Sequence, residues 1–136
     1  MKEPKDYIIR LMKRMAVVFA RMIGLIDDKR YTEAREQINH ELEDLTGLPT
    51  ELLDQADAPF ISHMLTLNEQ PEKILVVAEL YFLKGRVSDE LGDPVEGRRF
   101  YFICQECLAL IDSDNLDTEL QKRVNRLHDD VSLQLI

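Results

Sequence analysis

Residues 72–112 read EKILVVAELYFLKGRVSDELGDPVEGRRFYFICQECLALID, and this stretch decides the fold. Two apolar-rich runs of helical length flank Leu91-Gly92-Asp93-Pro94. Gly92 is a helix stop. Asp93 is placed to cap the next helix, with Pro94 at the first helical position and Glu96 where a capping box wants an acid. The spacing predicts a helix over about Pro71–Leu91 and another over about Pro94–Ile111, folded back as a hairpin. Inward positions of the first include Ile74, Val77, Tyr81, Phe82 and Val87.

Outward from this hairpin the same grammar repeats. On the N-terminal side a helix is predicted from about Pro4 to Asp27. Its apolar residues Ile8, Met12, Met15, Phe19, Met22 and Ile26 alternate steps of four and three, an a/d seam. Tyr7, Leu11, Val18 and Leu25 widen it, and Arg10, Arg14 and Arg21 hold the rest. So broad an apolar surface is either central or a subunit interface, which makes Met15 and Phe19 candidate partner contacts. A second helix, Tyr31–Thr46, carries Ala34, Ile38, Leu42 and Leu45, then stops at Gly47 and Pro49. Thr50 is a candidate cap for a short helix, Glu51–Ala56, and another short helix is expected from Asp57 or Ala58 through Leu67. On the C-terminal side a turn over 112–115 leads to a last helix, Leu116–Leu135, striped by Leu120, Val124, Leu127 and Val131. No stretch alternates with a period of two, so no strand is expected. The prediction is one all-α domain of five long helices and two short ones.

Composition agrees. The chain has 136 residues, 45% of them hydrophobic and 32% charged, enough for a core without staples. Five Gly, five Pro and no Trp leave little punctuation. The net charge of -9 is uneven: residues 1–35 hold nine Lys/Arg against five Asp/Glu, and no Lys or Arg occurs from Glu36 to Gln70. An acidic body repels nucleic acid and anionic membrane, so neither is an expected partner. The basic first helix is read as pairing with that body, in the same molecule or in a dimer. The opening Met1-Lys2-Glu3-Pro4 has no signal-peptide pattern and no run is apolar enough to span a bilayer, so a cytoplasmic location is expected.

The Glu79–Ala109 hairpin resembles a tetratricopeptide repeat. Gly85 stands at the small position of that repeat's first helix and Gly92-Asp93 at its turn. Gly97, Tyr101 and Cys104 stand at the small, aromatic and small positions of its second helix. Lys84 departs from the pattern where the family has Leu, and Pro94 replaces the turn aromatic. The N-terminal pair is similar in register through Tyr31 and Ala34, with departures at Met22 and Glu41. The chain is thus similar to small bacterial TPR-like proteins. The resemblance implies antiparallel helical hairpins closed by a C-terminal capping helix, and no activity. It also implies a concave face lined by Glu79, Phe82, Arg86, Asp89 and Glu90, with Ala16, Phe19, Ile23, Ile26 and Asp27 at matching first-helix positions. Phe82, Arg86 and Asp89 become candidate partner-binding residues, unless the last helix or the short middle helices fill the groove.

Reactive chemistry is sparse. Cys104-Gln105-Glu106-Cys107 puts two thiols on one helix face, but deep in a helix rather than at an N-terminus, so core packing is the leading reading. His40 has Glu36, Glu43 and Asp44 at helical spacing, a conceivable metal site without any HExxH or Glu-x-x-His pattern. No nucleophile elbow, P-loop or dinucleotide fingerprint occurs. The expectation is a non-enzymatic interaction or scaffold module without cofactor, binding a protein or peptide and self-associating through the first helix. The alternative is a ligand- or metal-binding regulator using His40 with its carboxylates, or Cys104 and Cys107.

Overall fold

A computed structural model describes residues 5–65 and 70–136. Its α-helices are α1 (Lys5–Asp27), α2 (Tyr31–Thr46), α3 (Thr50–Gln55), α4 (Ala58–Leu65), α5 (Pro71–Glu90), α6 (Pro94–Ala109) and α7 (Thr118–Gln134). A single 3-10 turn, Ser113–Asn115, precedes α7, and no strand occurs among the described residues. The expected helix start at Pro4 and the expected end of α4 at Leu67 lie outside the described residues.

Local chemistry sets the boundaries. Gly47 closes α2 in the left-handed conformation, its N–H donating to the Glu43 carbonyl at 2.8 Å. Gly92 makes the tight turn after α5 at φ +86, a conformation that disfavours any side chain. Asp93 caps α6 by accepting the Glu96 N–H at 3.2 Å. The reciprocal half of a capping box is missing, because the Glu96 carboxylate turns to Arg99. Two expectations shift. Thr50 does not cap α3: its own N–H donates to the Glu43 carboxylate at 2.7 Å, so a remote acid does the capping. The last helix starts at Thr118, not Leu116, because Asp117 is the cap and accepts the Leu120 N–H at 2.9 Å.

α5 is the central element. It packs against α6, α2, α1 and α7 and buries thirteen of its residues, including the unbroken run Lys73–Ala78. α5 and α6 run antiparallel: Phe82 meets Tyr101 with ring centroids 5.6 Å apart, and further along α5 Asp89 lies over Gly97, earlier on α6. Gly85 is what permits this approach. A Cβ there would stand 2.5 Å from the Tyr101 ring. α3 rests on α2 and α4 on α6.

The buried stripe of α1 is Ile8, Leu11, Met15, Val18, Met22 and Ile26. Leu11 and Val18 therefore replace Met12 and Phe19 in the predicted seam, and the latter two become half-buried rim residues. The α1–α2 contact also includes an ion pair. Arg14 donates to Glu41 at 2.7 Å, and Glu41 is buried on α2 where the repeat pattern has a small residue.

Candidate partner-binding groove

α1 and α7 both lean on α5 and leave a groove between them. An open cavity of about 460 Å³ is lined by Ala16, Phe19 and Ile23 of α1, by Glu79, Phe82, Leu83 and Arg86 of α5, and by Arg123, Arg126, Leu127 and Asp130 of α7. A second cavity, of about 630 Å³, involves Lys5, Ile8, Ile9, Met12 and Lys13 with Gln70, Glu72, Asp117 and Leu120. Each set draws on the same three helices, and all three contribute earlier residues to the second cavity than to the first. The three helices therefore run parallel, and the cavities lie end to end along them.

The walls follow from helical periodicity. Ala16, Phe19 and Ile23 recur at steps of three and four, as do Glu79, Phe82 and Arg86, so each set lies on one face. Arg123 spans the floor to Glu79 at 2.5 Å. Burial pushes the Glu79 carboxyl above its ordinary range, and the Arg123 guanidinium opposes that shift. Arg86 and Arg126 line the same cavity and have no carboxylate at ion-pair distance among the described residues.

Of the predicted partner-binding residues, Phe19, Phe82 and Arg86 come together here. Met15 does not. It is 1% exposed in the core, because α1 turns that face toward the other core helices, so it is not available to a partner in the folded chain. Asp89 is exposed but stands outside this cavity, where its carboxylate accepts the Tyr101 hydroxyl at 2.8 Å. Burial, aided by that bond, raises the Tyr101 hydroxyl well above the ordinary tyrosine range.

The alternative site residues do not assemble. His40 is exposed and lies 3.6 Å from Asp44, and no group of three or more His, Cys, Asp or Glu is placed to hold a metal ion among the described residues. Cys104 and Cys107 are free thiols with no exposed surface. Burial pushes both thiols up, Cys107 to about 12, which disfavours the reactive thiolate.

Sequence reasoning missed a polar lock on the opposite side of α5. Lys84 is 2% exposed and donates to Asp54 of α3 at 2.5 Å, with its ammonium 4.8 Å over the Phe100 ring. Arg99 donates to the backbone carbonyls of Asp54 and Ala56 and to Glu96. Together these bonds tie the end of α3 to the α5–α6 pair. Burial pushes the Lys84 ammonium below the ordinary lysine range, with the Asp54 hydrogen bond acting against it. Tyr81, buried nearby, has a hydroxyl without a hydrogen-bond partner among the described residues. The one sequence signal was Lys84 itself, a cation where a repeat helix has Leu.

Comparison with known proteins finds no matching family profile, no matching curated protein and no matching solved structure. No helix among the described residues is long and apolar enough to cross a membrane.

Proposed function

We propose that the chain is a non-enzymatic protein-interaction module of TPR-like build, and that the α1–α5–α7 groove is where a protein or peptide partner docks. One observation carries this reading. Phe19 of α1 and, far along the chain, Phe82 and Arg86 of α5 face one open cavity between three parallel helices. The parallel course of α1, α5 and α7 also fits a repeat whose first helices line a common face, with α7 as the closing helix. α7 forms one wall and does not fill the groove. The test is site-specific photo-crosslinking in the source cell. A photoreactive phenylalanine at 19 or 82 should yield discrete adducts, and one at the exposed Phe60 of α4 should not. Adducts of equal yield at all three positions would overturn the proposal.

A second reading, self-association through α1, is favoured by the apolar edge it leaves exposed. Ile9 and Ile23 stand exposed on the α1 side of the two cavities, with Ala16 and Ala20 beside them, and Val17, 64% exposed, carries apolar surface outward from that edge. Single apolar residues at the surface are ordinary, whereas apolar residues that adjoin one another are the raw material of an interface. Sedimentation that shows only monomer at high concentration sinks it. A dimer that Val17→Glu dissociates without loss of helicity supports it.

A further inference from the structure

We propose that the segment received by the α1–α5–α7 groove is a short amphipathic stretch of a protein carrying a carboxylate, which Arg86 and Arg126 bind. The inference rests on the reading of that groove as a docking surface, and it adds the chemistry of the occupant.

The charge in the cavity is already partly matched. Arg123 is neutralised by Glu79 at 2.5 Å, which leaves Arg86 and Arg126 without a carboxylate at ion-pair distance among the described residues. Asp130 is the only other acid of the lining. Two unmatched guanidiniums beside Phe19 and Phe82 are unexpected on a chain of net charge -9. Guanidinium is the cation best suited to a carboxylate, through paired parallel hydrogen bonds, and it rests easily against aromatic rings.

The rest of the body limits what can enter. Residues 36–136 carry the whole negative excess, so a long polyanion meets repulsion as soon as it leaves the groove. At physiological salt that repulsion acts over about 8 Å. A nucleic acid strand is disfavoured on this ground, whereas a segment with one or two acids among apolar residues is not. The groove sets a length as well. Ala16 to Ile23 spans about 10 Å of α1, which matches about two turns of a bound helix. The favoured occupant places Leu or Phe on one face, against Phe19 and Leu127, and Asp or Glu at the end beside Arg86.

The experiment is selection of displayed random peptides, about 12 residues long, on the immobilised full chain. The same pool is counted on Phe19→Glu and on the double variant Arg86→Glu/Arg126→Glu, with helicity checked by circular dichroism. The expected outcome is enrichment of Asp or Glu next to Leu or Phe. Selected peptides should lose binding on Phe19→Glu and bind the double variant at least about tenfold more weakly. Lys- or Arg-bearing peptides should replace them there. If the double variant does not fold, Arg86→Gln/Arg126→Gln takes its place with the same expected loss. Peptides that need Phe19 but show no acid preference, and that bind the double variant unchanged, overturn this inference and leave the groove reading intact. Peptides indifferent to Phe19→Glu, or no enrichment at all, overturn both. Preferential retention of single-stranded DNA added as a competitor would also overturn the inference.

Discussion

Lys84 and Arg86 stand two residues apart on α5 and meet opposite fates. Two residues turn a helix by about 200°, so the side chains leave from opposite sides. Lys84 is sealed under α3, paired with Asp54 and held over Phe100, while Arg86 faces an open groove with no ion pair among the described residues. A buried charge costs stability unless its partner is in place, so Lys84 contributes little net energy but fixes where α3 can dock. A half-buried charge that still reaches the solvent of an open groove costs far less, and it stays available. One face of α5 is therefore specified for folding, and the other is left open to the groove.

The sharpest way to break this comparison runs through α1, which also has a sealed side and an open one. Met15→Glu places an unpaired carboxylate among fully buried residues. A loss of at least about 4 kcal/mol is expected, and thermal melts should show no cooperative transition. Phe19→Glu, one turn further, should keep its helicity and melt within about 5 °C of the parent. If both variants unfold, the groove side of α1 is core and the comparison collapses.

Next in size is the Lys84 lock. Asp54→Ala strands a buried ammonium and should cost about 2–3 kcal/mol in urea unfolding, at the low end for a buried pair because Asp54 is 44% exposed. Lys84→Met should be close to neutral, and the double variant Asp54→Ala/Lys84→Met should recover most of the loss. An additive double variant would show that the pair holds nothing. Gly85→Ala tests the packing between the two faces. Its Cβ has no room beside Tyr101, and about 1–3 kcal/mol of destabilisation is expected.

A smaller effect follows from protonation. Burial holds the Lys84 ammonium below its ordinary range, so the folded chain loses that proton at lower pH than the unfolded chain does. The unfolded state then binds more protons between the lowered value and about 10.4, and stability rises with pH across that window. Melting of the parent against Lys84→Met from about pH 8 to 9.5 isolates this contribution by difference, because the raised Cys104 and Cys107 thiols, which act in the opposite sense across the same window, are common to both chains, as are Tyr81 and Tyr101. The parent should gain on the variant as pH rises. A constant gap would mean that Lys84 keeps its proton throughout.

Much of the fold could be read from local signals. Gly47, Gly92, Asp93 and Pro94 each announce a helix end through conformational limits that need no tertiary partner. The register of α1 was legible only approximately. Met12 and Phe19 are as apolar as Leu11 and Val18, so periodicity alone does not say which row faces inward. α5 conceals more, because nearly every side is buried and no face stands out. The groove row Phe82 and Arg86 was reached through resemblance to a repeat, which orients α5 without reference to hydrophobicity. Asp89 was misplaced by the same reasoning, since its bond to Tyr101 depends on how closely Gly85 and Gly97 let the helices approach. The Lys84–Asp54 pair joins positions 30 apart in sequence, across a connection with no helical period to relate them.

The smallest expected effect is the most discriminating. Arg86→Gln should change stability by no more than about 0.5 kcal/mol, because no ion pair is lost and the glutamine stem still covers the groove wall. Arg86 does lie within electrostatic reach of the Tyr31 and Tyr101 hydroxyls, where its charge opposes the upward shifts of both. That gives the null result an edge. If those hydroxyls depended on Arg86 for their placement, removing the guanidinium would loosen both the α2–α5 and α5–α6 contacts, and urea unfolding would register more than about 1 kcal/mol. Such a loss would place Arg86 in the same structural class as Lys84, and the division of α5 into a locked face and a free one would fail. Unchanged stability together with lost peptide binding leaves only the groove role for Arg86.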